Sequence, residues 1–218
     1  MLIMNSLDLT SSSKKKLKRD SEHSQIRKNI RTLRNSFSSE EQAIAAEALV
    51  SRILIDPDFQ NAEKLAFYQA FDGEINPSLA LQTALKLGKR CFLPLINKTD
   101  SSMLFVEFNS QSSLKQNHYG ILEPELYPDR TLASEYLDTI FMPLVAFDDK
   151  GTRLGMGLGY YDRNLAFLRG NAAKSRQKSP KLIGLAYECQ RVDELERAEW
   201  DIPLDKIITD QTTYLINS

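Results

Sequence analysis

Asp138-Thr139-Ile140-Phe141-Met142-Pro143-Leu144-Val145-Ala146-Phe147 holds the longest apolar run of the chain, and a glycine-rich stretch follows it, Gly151-Thr152-Arg153-Leu154-Gly155-Met156-Gly157-Leu158-Gly159. A continuous apolar run closed by turn residues reads as a strand buried on both faces, the kind that sits in the middle of a sheet covered by helices. Later in the chain, Lys181–Tyr187 and Lys206–Thr209 read as further strands. Upstream, Lys64–Ala70, Arg90–Leu95 and Met103–Phe108 have strand character, the last with an alternation that suggests one more exposed face. Asn76-Pro77 starts a helix that Gly88 stops, and Ser38-x-x-Glu41 is a capping box opening another, with Ile44, Ala48 and Leu49 on its buried face.

Before that, the pattern turns helical near Ser24, with Ile26, Ile30 and Leu33 on one stripe and Arg27, Arg31 and Arg34 on another. A helix near Tyr161–Leu168 follows the glycine stretch. Strands alternating with helices specify an α/β fold: a single three-layer domain with a mostly parallel sheet flanked by helices on both faces. Residues 170–180 are polar and unpatterned, and read as an exposed insertion.

The chain of 218 residues carries 28 Lys and Arg against 29 Asp and Glu. Residues 1–40 hold nine basic and four acidic side chains, so the N-terminus is basic and the remainder acidic. That distribution excludes a protein gripping nucleic acid along its whole surface. Residues 1–21, with Lys14-Lys15-Lys16-Leu17-Lys18-Arg19, read as a basic flexible tail ahead of a domain over 22–218; a nucleic-acid patch is the alternative. Cys91 and Cys189 read as free thiols of a reducing compartment. No run approaches the roughly 20 apolar residues of a membrane span. The expectation is a cytoplasmic monomer.

The chemistry is expected at the glycine stretch, because ligands of open parallel sheets bind beyond the strands' carboxyl ends. Four of the nine glycines fall between 151 and 159. Alternate glycines allow backbone N–H groups to approach an anion, a following helix adds its N-terminal dipole, Arg153 adds a cation and Asp162 a hard oxygen suited to Mg²⁺. Gly155-x-Gly157-x-Gly159 is neither the dinucleotide fingerprint nor a P-loop, and alone it could equally be a tight structural turn. The chain has no H-E-x-x-H, G-x-S-x-G or C-x-x-C. His118 reads as a loop residue, and Trp200 as core or rim packing with ring stacking as the alternative.

Phe141–Asp148 followed by Arg153-Leu154-Gly155-x-Gly157-x-Gly159-Tyr160-Tyr161-Asp162-Arg163 resembles the signature of the 5-formyltetrahydrofolate cyclo-ligase family. Phe71-Asp72-Gly73-Glu74-Ile75, Gly120-Ile121-Leu122-Glu123-Pro124 and Trp200-Asp201-Ile202-Pro203 are similar to three further elements of it, so the resemblance covers residues 24–210. It implies a Rossmann-like sheet, related to those of sugar-phosphate isomerases and CoA-transferases. It also implies an enzyme using ATP and Mg²⁺ to turn 5-formyltetrahydrofolate into 5,10-methenyltetrahydrofolate through phosphorylation of the formyl oxygen.

By the same resemblance, Arg153, Leu154, Gly155, Met156, Gly157, Leu158, Gly159, Tyr160, Tyr161 and Asp162 line the ATP phosphates. Arg153, Tyr160 and Asp162 are the catalytic group, Gln69, Glu74 and Tyr160 contact the folate, and Asp162 and Asp201 hold the metal. An N-terminal basic pair for ATP falls on His23 and Arg27 or, one turn later, on Arg27 and Arg31. Leu158 stands where many relatives have Lys or Gly, a lost cation that Lys174, Arg176 or Lys178 could replace. Two other readings remain: a non-catalytic, RNA-binding member of the family, and an isomerase or CoA-transferase relative. Retention of the loop, Glu74, Asp162 and Asp201 favours the enzyme.

Overall fold

The protein is described here by a computed structural model over residues 11–97, 102–169 and 179–216. Helix α1 spans Ser11–Arg34, α2 Ser39–Ile55 and the single turn α3 Pro57–Gln60. Strand β1 (Lys64–Ala66), helix α4 (Ser78–Lys86) and strands β2 (Arg90–Ile96) and β3 (Met103–Phe108) follow. A small hairpin, β4 (Leu114–Gln116) with β5 (Leu122–Pro124), leads to β6 (Thr131–Leu132) and β7 (Thr139–Pro143). The second half comprises β8 (Ala146–Phe147), β9 (Arg153–Leu154), α5 (Tyr160–Asn164), β10 (Lys181–Ala186), β11 (Lys206–Thr209) and β12 (Thr213–Leu215).

The main sheet has the order β12-β11-β10-β7-β1-β2-β3-β6. Its five central strands, β11 to β2, run parallel, and antiparallel strands close both edges. The expected mostly parallel α/β sheet is present. Side-chain alternation divides the core. Leu65, Phe141, Ile183 and Ile208 pack beneath α2 and α4. Ala66, Ile140, Met142, Leu182 and Ile207 face the other way, towards Leu165, Ile202 and Leu204. That second face is covered by short α5 and a 3₁₀ turn at Ala166–Leu168, not by the single helix expected over Tyr161–Leu168.

Helix α2 opens as the capping box predicts: the Glu41 N–H donates to Ser38 Oγ at 3.2 Å and the Ser38 N–H to Glu41 Oε2 at 2.7 Å. Its buried face is Ala45, Ala46, Leu49 and Ile53, whereas Ile44, expected inside, is exposed. The start of α1 also differs from expectation. The helix begins at Ser11, thirteen positions before Ser24, and continues through the boundary expected at 21/22. Its stripes are rearranged as well: Leu33 is exposed and Arg34 is fully buried.

The longest apolar run is divided. Only Thr139–Pro143 lies in the sheet, between β1 and β10. Ala146–Phe147 instead pairs antiparallel with Arg153–Leu154. The Val145 N–H donates to the Leu154 carbonyl at 2.7 Å, so the chain folds back on itself past the strand end. Ile30 of α1 packs there on Val145, Ala146 and Leu154, which places α1 across the carboxyl end of the sheet.

Candidate active site

From β1 the chain moves out to β2 on one side, and from β7 out to β10 and β11 on the other. The ends of β1 and β7 therefore flank a topological switch point, where parallel sheets leave a crevice for ligands. A cavity of about 690 Å³ occupies it, floored by Tyr68 and Gln69 after β1 and by Pro143, the last residue of β7, with Leu144 beyond it. The glycine segment forms one wall, α1 the rim, and the β4–β5 hairpin the far wall.

The glycine segment is shaped to present donors. Gly157 and Gly159 have φ of +93° and +66°, backbone that a Cβ-bearing residue rarely adopts. Among the described residues, no backbone N–H from Gly155 to Gly159 donates a hydrogen bond. Three of the five carbonyls are held: Arg27 Nε donates to the Gly155 oxygen at 2.8 Å, Arg163 Nη1 to the Leu158 oxygen at 2.8 Å and the Arg163 N–H to the Gly159 oxygen at 3.0 Å. The segment thus keeps most of its acceptors occupied and its donors free, the polarity an anion requires. α5 has only five residues, so the donors outweigh the helix dipole expected behind them.

Arg153 is nearly buried. Its Nη2 donates to Asp162 Oδ1 at 2.6 Å and its Nη1 to the Ile202 carbonyl. The same Asp162 oxygen accepts the Ile202 N–H at 3.2 Å. Asp201 Oδ2 accepts the Ala198 N–H at 2.8 Å. Each acid keeps one oxygen uncommitted among the described residues.

On α1, His23 and Arg27 line the cavity and Arg31 does not. The Arg31 guanidinium is held by Asp72 Oδ2 at 2.6 Å, away from that cavity. Burial, then the nearby Arg27 and Arg19, lowers the pKa of His23, and its buried Nε2 has no partner among the described residues. At neutral pH it is an uncharged polar group. Lys16 and Arg19 also line the cavity, with the Arg19 guanidinium 5.6 Å from the Trp200 ring centre and Lys15 paired with Glu196 at 3.1 Å. The first turns of α1 are thereby tied across the mouth. Trp200 is half exposed at that rim.

The opposite end is apolar with few polar groups. Glu74 lies in its wall, its Oε2 accepting the Phe71 N–H at 3.1 Å. Burial pushes its carboxyl up to about 7, against the opposing influence of Arg34. The Gln69 amide lines the cavity with no hydrogen-bond partner among the described residues. The Tyr160 and Tyr119 hydroxyls meet at 3.5 Å, and burial raises the Tyr161 phenol.

Every expected site residue but Arg31 therefore borders one cavity. The residues missed were Lys16, Arg19, Tyr119, Glu123, Arg163 and Arg169. The i, i+3 and i+4 spacings of Lys16, Arg19, His23 and Arg27 were a usable signal, since they give one helical face. The others arrive from separate loops. Lys174, Arg176 and Lys178 lie outside the described residues. His118 is an exposed turn residue, and Cys91 and Cys189 are free thiols, as expected.

Residues 19–210 match the 5-formyltetrahydrofolate cyclo-ligase family. A Haemophilus influenzae protein named 5-formyltetrahydrofolate cyclo-ligase is 37% identical over 185 residues, covering 84% of this chain and 95% of that one. An Escherichia coli K12 protein of the same name is 34% identical over 181 residues, covering 83% and 96%. Among solved structures, a 5,10-methenyltetrahydrofolate synthetase of Aquifex aeolicus superposes with a TM-score of 0.74 at 30% identity, covering 90% of this chain and 93% of that one.

Proposed function

The chain belongs to the 5-formyltetrahydrofolate cyclo-ligase family, and on that premise we propose that it uses ATP to convert 5-formyltetrahydrofolate into 5,10-methenyltetrahydrofolate, releasing ADP and phosphate. One observation carries this reading: a single cavity has unpaired N–H donors and Arg27 at one end, and a buried acid with an unsatisfied amide at the other. The first end suits a triphosphate, the second a ring bearing N–H and C=O groups.

The formyl oxygen is a poor leaving group. Its attack on the γ-phosphorus forms an O–P bond as the bond to ADP breaks. N10 then attacks the formyl carbon, phosphate departs with the formyl oxygen, and the N10 proton is lost. Such chemistry asks the protein mainly for alignment and charge stabilisation, which explains a site without a nucleophilic Ser, Cys or His. In this reading Gly155–Gly159 and Arg27 seat the phosphates, while the Arg153–Asp162 pair fixes the loop against Ile202. Glu74 and Gln69 orient the ring, and Tyr160 packs beside it.

Among the described residues no cluster of three acidic, His or Cys side chains forms a self-contained metal cage. Asp162 and Asp201, each with a spare oxygen, fit the way Mg²⁺ is held, through one or two carboxylates and the phosphates of its substrate. A bound Mg²⁺ would neutralise charge on the transferring phosphoryl group. Lys16 and Arg19 face this cavity, which favours a small anionic ligand over RNA for that basic segment. No helix among the described residues is long and apolar enough to cross a membrane.

The direct test follows methenyltetrahydrofolate absorbance after mixing protein, Mg-ATP and 5-formyltetrahydrofolate. ATP-dependent product is expected, and none from folded protein would refute the assignment. Asp162→Asn should abolish turnover in protein that still folds; full activity would remove Asp162 from the site.

A further inference from the structure

Two acids stand at the folate end of the cavity, and only Glu74 has been given a task. The other, Glu123, lies on β5 and is 9% exposed. Its Oε1 accepts one long hydrogen bond, 3.3 Å, from the Ile96 N–H. Among the described residues no cation and no second donor meets this carboxylate. The other oxygen is not among the buried unpaired atoms, so it opens on the cavity, where a ligand donor can replace solvent. Pro94, Ile96, Ile121 and Leu122 line the same cavity without a side-chain donor, and the Tyr160 phenol stands near enough for Glu123 to raise its pKa, with no hydrogen bond between the two among the described residues.

The group is also held rigidly. Asn117 Oδ1 accepts the N–H groups of Tyr119 and Ile121 at 2.9 and 3.0 Å, and the Asn117 N–H donates to the Ile121 carbonyl at 2.8 Å. These bonds close the turn of the β4–β5 hairpin, and β5 pairs with β4 in the register Lys115 opposite Glu123. The turn thus fixes the backbone from which Glu123 projects.

We propose that Glu123 is a second acceptor of the folate subsite, its uncommitted oxygen receiving an N–H of the reduced pterin ring. The inference rests on the reading of this cavity as a folate site. It also gives the cavity a means of sorting its substrates. A buried carboxylate repels a triphosphate and attracts a ring rich in N–H groups, so ATP is directed to the glycine segment and the pterin to the hairpin.

The test is Glu123→Gln. Carboxylate offers two acceptor oxygens, one for Ile96 and one for the ligand; the nearly isosteric amide offers one. One of the two donors must then face an NH₂ group. The expected result is a Kd for 5-formyltetrahydrofolate, measured without nucleotide by equilibrium dialysis, weakened about tenfold. KM for the folate should rise in parallel, with KM for ATP within twofold of wild type. Glu123→Asp, which keeps the charge but withdraws it by one methylene, should weaken folate binding likewise and serves if the glutamine variant does not fold. Folate affinity within twofold of wild type in a folded variant would overturn the inference, as would a loss confined to ATP. If wild-type protein neither binds nor converts 5-formyltetrahydrofolate, it is the proposed function that falls.

Discussion

Replacing Arg34 by Met should remove about 3 kcal/mol of stability and loosen the folate end of the site. The side chain is fully buried, and its guanidinium joins three parts of the chain. Nε donates to the Asp72 carbonyl at 2.7 Å, Nη2 to Asp72 Oδ2 at 3.0 Å, and Nη1 to the Leu144 carbonyl at 3.3 Å. Asp72 has φ +52°, a strained value for a residue with a side chain, so the turn needs outside support.

Methionine matches the arginine stem and supplies no donor. The Leu144 carbonyl would keep Gln190 Nε2 at 2.8 Å, and the Asp72 carboxylate would keep Arg31 at 2.6 Å. What is lost is one bond to the Asp72 carboxylate and two from the cation to carbonyls, the one to Leu144 long at 3.3 Å; a bond to a charged group is worth about 1.5–3 kcal/mol. Apolar packing of the new side chain offsets part of that, leaving about 3 kcal/mol. Asp72→Asn, which tolerates the left-handed backbone, should cost about 1–2 kcal/mol, and the double variant less than the sum of the two. Urea unfolding with linear extrapolation measures all three. A loss below 1 kcal/mol for Arg34→Met, or strict additivity with Asp72→Asn, would refute the reasoning. Because the same turn carries Glu74, folate KM should rise while ATP KM holds.

Glu74 supplies a pH test. Its native carboxyl titrates near 7, above an unfolded carboxyl, so the folded state binds the proton more tightly. Its stabilising contribution is complete below the unfolded pKa and is lost as pH rises to about 7. Glu74→Gln should therefore gain on wild type by about 2–3 kcal/mol between pH 4 and pH 8, and a pH-independent difference in urea unfolding would contradict this. Gly151→Ala should lower the melting temperature by several degrees, since φ is +75° and an added Cβ would lie 2.9 Å from the Leu204 carbonyl oxygen. Cys91 is fully buried with its thiol pushed up to about 12, whereas Cys189 is half-buried. A thiol reagent should label Cys189 first and Cys91 only on unfolding; equal rates in native protein would count against the burial.

The sequence by itself determined what depends on near neighbours. The strand cores, the Ser38–Glu41 capping box, the Gly88 stop and the glycine segment each follow from side chains and φ preferences within a few residues, and all appear in the structure, although the strand expected over Lys64–Ala70 is Lys64–Ala66 and the longest apolar run is divided. The parallel sheet follows too, because βα alternation permits few alternatives. Tertiary structure alone decided the rest. Leu33 and Arg34 are adjacent on a helix, yet the arginine is the buried one, because Asp72 and Leu144 lie 38 and 110 positions away. Arg31 and Arg27 look equivalent in the helical pattern, and only the Asp72 turn separates a structural cation from one facing the cavity. Lys16 and Arg19 share a helical face with His23 and Arg27, yet that face becomes part of the rim only where Glu196 and Trp200 meet the helix. Glu123 is likewise an ordinary strand acid until folding places it against Ile96 with no cation beside it among the described residues. Local propensity specifies elements; which polar groups they bury, and against what, is set by partners that the chain brings together from far apart.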